Sequence, residues 1–145
     1  MSRPGNTGFS LLELVFAISV IAILTVIAYP SYHNSIRKSR RVDAQQALME
    51  AAHKLENYYA KNASYTADLR KLGYPDNSWN TIQSASATAF YKIRVNNPVG
   101  CNIQNCFLLE SQNIGDQQND VVNSYRLWST GRKQVRVNSQ EKEGW

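Results

Sequence analysis

The chain has 145 residues, 43% of them hydrophobic, and sets 16 Lys and Arg against 11 Asp and Glu for a formal net charge of +5. That length allows one compact domain and little else. The modest basic excess suits an acidic partner, nucleic acid or an anionic membrane surface, without choosing between them. Cys101 and Cys106 are the two cysteines, and two thiols without a histidine cluster do not make a zinc site. No glycine-rich phosphate loop or paired-carboxylate site emerges. Hence no catalytic residue, metal or cofactor is expected, and the reading is against an enzyme.

Apolar residues are unevenly spread. A long block lies near the N-terminus, and the remainder is polar enough to bring the mean hydropathy to −0.44. Met1 to Gly8 is short and polar, with Arg3 its one charged side chain. Phe9 to Tyr29 then reads FSLLELVFAISVIAILTVIAY, long enough as a helix to cross a bilayer. A plain anchor would read this way. A secretory signal would too, with Val26-Ile27-Ala28 as a passable cleavage site, although the apolar core of such a signal is usually only about 7–15 residues. Neither reading explains Glu13. An ionised carboxylate well inside the bilayer costs on the order of 2.5–3.5 kcal/mol, and less near the end of a span. Such a group usually has a partner or a function, unless it is solvated at headgroup level.

Gly8-Phe9-Ser10-Leu11-Leu12-Glu13 resembles the class III signal of type IV prepilins: a polar leader ending in glycine, then phenylalanine, with glutamate four residues on. The apolar run Leu14 to Pro30 and Tyr32 continue the likeness. The resemblance implies cleavage between Gly8 and Phe9 by prepilin peptidase on the cytoplasmic side, and N-methylation of Phe9. The apolar helix would stay on the mature chain. In a filament core, the amine of Phe9 on one subunit would face Glu13 of a neighbour. At about 4 Å and an effective dielectric near 20 the attraction is roughly 4 kcal/mol before desolvation. Desolvation cancels much of it, so the pair sets register more than stability. Arg37, Lys38, Arg40 and Arg41 follow the apolar run. The positive-inside rule would put them in the cytoplasm, whereas the resemblance implies the opposite side.

Pro30 removes a helix hydrogen bond to the carbonyl of Val26, so a kink or local unwinding is expected there. Beyond it, Val42, Ala44, Ala47, Leu48, Ala51, Ala52, Leu55, Tyr58 and Tyr59 recur at helical spacing. The Tyr58-Tyr59 pair reads as core and rim packing. The helix is expected to end near Asn62. Type IV pilins often carry a glycine in the anchor upstream of the proline. Here no glycine lies between Phe9 and Pro30, so any melting of the helix would fall to Pro30.

Residues 62–89 are rich in Ser, Thr, Asn and Ala and read as a loop region. Four strands are then predicted: Phe90 to Asn96, with alternating Tyr91, Ile93 and Val95; Cys106 to Ser111; Asn123 to Ser129; and Lys133 to Asn138. Thr130-Gly131-Arg132 is a hairpin turn between the last two. The fold class is α+β, the type IV pilin roll that the resemblance implies: a long N-terminal helix, half transmembrane and half amphipathic, on a four-stranded antiparallel sheet. The expected divisions are a leader over 1–8, a transmembrane or filament-core helix over 9–31, its amphipathic continuation over 32–62 and a globular head over 63–145. Cys101 and Cys106, if bonded, clip the connection between the first two strands. An exported head in an oxidising compartment favours the disulfide, which a short loop makes worth roughly 2 kcal/mol. In the family the bridge usually encloses a loop nearer the C-terminus.

Strand alternation turns Lys92, Arg94, Arg126, Trp128 and Arg136 outward, with Arg132 and Lys133 at the edge of the same face. Phosphates favour such a stripe and a tryptophan can stack on a base, so these are the candidate DNA contacts. Outward polar residues are equally what any soluble sheet needs against edge aggregation. Ala63-Ser64-Tyr65-Thr66, Gly115-Asp116-Gln117, Tyr125-Arg126-Leu127 and Trp145 resemble the minor pilins, a group that includes a DNA-uptake receptor. The resemblance implies a structural subunit, inserted in the bacterial inner membrane as a single-pass precursor with its head in the periplasm, then assembled into an extracellular pilus for adhesion, twitching motility or DNA uptake. Its partners would be other pilin subunits, the prepilin peptidase, the inner-membrane assembly platform and, for an uptake pilin, DNA. A major pilin and a type II secretion pseudopilin are the other readings. Gly8→Ala is expected to leave an uncleaved precursor in the membrane fraction, and mass analysis of the filament form should give methylated Phe9 at its N-terminus. A mature chain starting at Tyr29 would restore the secretory-signal reading.

Overall fold

The computed structural model describes residues 10–83 and 88–145. Gly8 and Phe9, the expected processing junction, lie outside the described residues. The chain divides into two compact units, Met1–Ile36 and Arg37–Trp145.

One helix, α1 (Leu11–Asn62), crosses both. In the first unit every helical side chain from Leu11 to Ser35 is exposed, and the apolar stretch reaches a mean hydropathy of 2.7. By length and composition this segment can cross a membrane. Ser19 and Thr25 donate their hydroxyls to the carbonyls of Val15 and Ile21, both at 2.8 Å, so these two hydroxyls are satisfied within the helix. The unwinding expected at Pro30 is absent: the backbone is α-helical without interruption from Leu11 to Asn62. One missing N–H costs a single bond, and the turns on either side keep theirs.

In the second unit α1 buries Ala44, Leu48, Ala51 and Leu55. Their spacing of four, three and four residues is one narrow stripe. The two alanines let the helix backbone approach the sheet, and burying Leu48 and Leu55 contributes about 2 kcal/mol each. Val42 and Tyr59, counted into the apolar stripe from the sequence, are instead 49% and 40% exposed. Tyr59 stacks on Tyr65 at 4.5 Å between ring centroids, and Tyr65 meets the edge of Phe107.

The sheet has six strands, not four: β1 (Asn80–Gln83), β2 (Ala89–Asn96), β3 (Leu108–Asn113), β4 (Val122–Trp128), β5 (Lys133–Val137) and β6 (Gln140–Glu143). Each pairs antiparallel with the next, in chain order. The two extra strands are the edges. β1 holds one apolar residue, Ile82, and lies in the stretch read as loop. β6, Gln-Glu-Lys-Glu, is polar and exposed throughout. Neither carries the alternation that marks a half-buried strand. β6 exists because Asn138 and Ser139 take positive φ, +49° and +66°, the two-residue turn that returns a hairpin with the right twist. The second strand also starts later than expected, at Leu108, because Asn102 to Cys106 forms hydrogen-bonded turns. Cys101 and Cys106 are joined by a disulfide within that connection.

The inner face of the sheet supplies Tyr91, Ile93, Val95, Leu109, Tyr125 and Leu127 to the core with the α1 stripe. Trp145 folds back to the same side, edge-on to Tyr125 at 5.7 Å. One polar cluster is set into this interface. Arg41 of α1 grips Asp120 with two donors, Nε to Oδ2 at 2.7 Å and Nη2 to Oδ1. Gln117, wholly buried in the 3-10 turn Gly115–Asn119, donates to Asp120 Oδ2 at 2.7 Å, to the Tyr91 hydroxyl and to the Arg37 carbonyl. The β3–β4 connection is thereby tied to the helix.

The Asp120 side chain is 3% exposed and Arg41 25%. Burial alone would push the carboxyl up. The Arg41 guanidinium and the amides of Val121 and Val122 outweigh burial and hold it below the ordinary carboxylate range. Its folded value therefore lies below its unfolded one. The pair's contribution is complete above about pH 4–5 and is lost as pH falls through the folded value. Asp120→Asn is expected to lower stability by about 2–3 kcal/mol at neutral pH, somewhat under the cost of breaking a fully buried pair because Arg41 keeps some water. It should also flatten the fall in stability below about pH 4. Urea unfolding of both proteins across pH measures this, and equal midpoints would show the pair to be idle.

Candidate nucleic-acid interface

Pairing register sorts the outer sheet face into rows. One row runs Lys92, Gln112, Ser124, Arg136, Glu141 from β2 to β6. The next runs Arg94, Glu110, Arg126, Gln134, Glu143. A third, nearer the disulfide loop, holds Asn96, Leu108 and Trp128. Lys92 and Arg136 are three strand spacings apart, about 14 Å. The β-period thus collects Lys92, Arg94, Arg126 and Arg136 on one face.

The face is not a free basic stripe. Glu110, in the middle of β3, accepts from Arg94 Nη2 at 2.7 Å and from Arg126 Nε at 3.2 Å. Arg126 also reaches Glu141 at 2.6 Å, and Arg132 pairs with Glu143. Burial pushes the Glu110 carboxyl up, but Arg94 and then Arg126 outweigh it and keep it below the usual carboxylate range. Lys92 and Arg136 form no ion pair among the described residues, although Glu141 stands opposite Arg136 across the β5–β6 pairing. Sequence alternation named the cations, but Glu110, Glu141 and Glu143 share the face, and only the register brings them beside the arginines.

The aromatic residue of the basic cluster is Trp79, which no strand pattern singled out. Lys92 Nζ and Arg94 Cζ lie 4.5 and 4.4 Å from its ring centroid, close enough for cation–π attraction. Trp79, Arg94, Glu110, Gln112, Asn123 and Arg136 border an open hollow of about 310 Å³. A register shift between Val122 and Ser124 inserts Asn123 there. Trp128 stands at the other end of the face, half-buried, with Arg132 over its ring at 5.2 Å. Lys133, expected at the edge of the outer face, pairs with Leu127 and lies over Trp145 at 4.4 Å, on the inner side. Chemically, the hollow offers Arg136 for phosphate, an indole for stacking, and the amides of Gln112 and Asn123 for base edges, with Lys92 beside it against the Trp79 ring.

The other expected site residues lie apart from this face. Glu13 is exposed within the first turn of α1 and Pro30 sits mid-helix. The disulfide closes a loop whose Val99 is fully exposed.

Comparison with known proteins adds three findings. Residues 30–121 match the family described as type IV minor pilin ComP, DNA uptake sequence receptor. Residues 3–29 match the prokaryotic N-terminal methylation motif. The type IV major pilin protein PilA of Myxococcus xanthus (strain DK1622) is 25% identical over 72 residues, which are 50% of this chain and 33% of that protein. The chain thus spans about a third of the length of that curated relative.

Proposed function

We propose a function that proceeds from one premise: this chain belongs to the family of type IV minor pilins described by ComP, the DNA uptake sequence receptor. It is a structural subunit of a type IV pilus. The observation that carries the reading further is the match over residues 30–121 together with the hollow bordered by Trp79 and Arg136 on the outer sheet face, with Lys92 against the Trp79 ring.

The precursor enters the inner membrane through the segment 9–31, with the amphipathic helix 32–62 and the head 63–145 in the periplasm. Prepilin peptidase removes residues 1–8, Phe9 is methylated, and the assembly platform adds the subunit to a filament of other pilins. Glu13 pairs with the Phe9 amine of a neighbour as that filament grows. The methylation-motif match over residues 3–29 supports this sequence of events, as does an apolar helix with Glu13 in its first turn. Once displayed on the pilus, the outer face takes up duplex DNA. Lys92 and Arg136 sit on phosphates, and Trp79 supplies an aromatic surface beside Lys92. A subunit serving only to prime or join the filament is the second reading, favoured by the ion pairs that occupy Arg94, Arg126 and Arg132.

Two measurements test these proposals. Glu13→Ala is expected to insert and be processed normally but to fall several-fold in the sheared-pilus fraction. Assembly at wild-type level would make the amine–carboxylate pair unnecessary. Mature full-length protein in detergent micelles, titrated with duplex DNA, is expected to bind more weakly as salt rises. The Lys92→Ala, Arg136→Ala double variant should lower the slope of log affinity against log salt by about 2, near one unit per lost phosphate contact. No binding at low salt would leave the purely structural minor pilin.

A further inference from the structure

Glu110 stands where a DNA phosphate would have to stand. Its side chain is 12% exposed. Both carboxylate oxygens are engaged: Oε2 accepts from Arg94 Nε at 3.0 Å, Arg94 Nη2 at 2.7 Å and Asn96 Nδ2 at 3.2 Å, and Oε1 accepts from Arg126 Nε at 3.2 Å. The two arginines come from β2 and β4, the strands on either side of β3, so the carboxylate bridges them along one cross-strand row. A phosphate offered to Arg94 and Arg126 meets the same donor geometry already filled by an anion.

We infer that Glu110 is an internal phosphate mimic that sets specificity: it occupies Arg94 and Arg126 and so withholds them from sequence-independent contact with the DNA backbone. Non-specific affinity grows with the number of phosphates neutralised. Two contacts removed from that count leave Lys92 and Arg136 as the backbone anchors, set about 14 Å apart by three strand spacings, with Gln112 and Asn123 between them. Discrimination then falls to whatever base edges those amides meet. A purely structural ion pair differs in one respect. Its loss would lower stability and leave DNA affinity where it was.

The inference rests on the DNA-binding reading, and the test separates the two. Full-length mature protein in detergent micelles is titrated with a random-sequence duplex across salt, as wild type, Glu110→Gln, and the triple variant Glu110→Gln, Arg94→Gln, Arg126→Gln. Glu110→Gln keeps the side-chain length and removes the charge. It is expected to bind random duplex several-fold more tightly at moderate salt, with the salt slope steeper by about 1, close to 0.9 for the phosphate regained at Arg94, because Arg126 keeps Glu141 as a partner. The triple variant should return to wild-type affinity and slope. If thermal melting shows Glu110→Gln to be unfolded at the assay temperature, Glu110→Met is read the same way. Wild-type binding with an unchanged Glu110→Gln overturns the inference and leaves the DNA reading standing. Silent wild type with a binding Glu110→Gln upholds the mimic, because Glu110 then withholds sequence-independent binding in full. Failure of both proteins to bind at low salt overturns both.

Discussion

The grip of Arg41 on Asp120 fixes where the helix docks on the apolar face of the sheet. Asp120 closes the connection between β3 and β4, and Arg41 projects from the helix three residues before the first buried alanine, Ala44. With Gln117 joining the same carboxylate to Tyr91 and to the Arg37 carbonyl, helix, sheet and connection meet at one point. A pair this buried adds little net stability over an apolar substitute, but breaking it leaves a charge without water. Its value is register. Sliding the helix by one turn would strand Asp120, so the alanine stripe is held against the strands it fits.

From that docking the two faces of the sheet follow. Alternation along β2 and β4 sends Tyr91, Ile93, Tyr125 and Leu127 to the helix and leaves the partners of each row to water. A meander of six strands has two edges, and both are short. The last is also highly charged, which discourages pairing with another chain. Glu141 and Glu143 on that edge reach back to Arg126 and Arg132. The strand that lowers the aggregation hazard also tempers the positive face.

Electrostatic balance on the outer face, more than the count of cations, governs what that face can do. Four basic residues in two adjacent rows would form a strong phosphate stripe if alone. Glu110 placed between two of them converts the stripe into two separated cations around a hollow. In the proposed DNA-binding role, weak sequence-independent attraction would leave room for discrimination between ligands.

Much was legible in the residues alone. The N-terminal motif, the long apolar run, the helical stripe ending near Asn62 and the alternating central strands are all local patterns, written within a turn or a few residues of themselves. Periodicity and spacing determine fold class because they act through nearest neighbours, and the resemblance of the N-terminal motif pointed to the family. β1 and β6 stayed hidden, since an exposed edge strand owes its conformation to its partner and to a turn, not to its own apolar content. Trp79 and Glu110 were hidden for a related reason. Each has its neighbours among residues thirteen or more positions away that only strand register sets beside it. Arg41 and Asp120 are 79 positions apart, and no local pattern joins them. The sequence by itself determined what each segment is. Tertiary structure alone decided which charges face each other, because Coulomb and hydrogen-bond partners are chosen by distance in space, and that distance exists only once helix and sheet are packed.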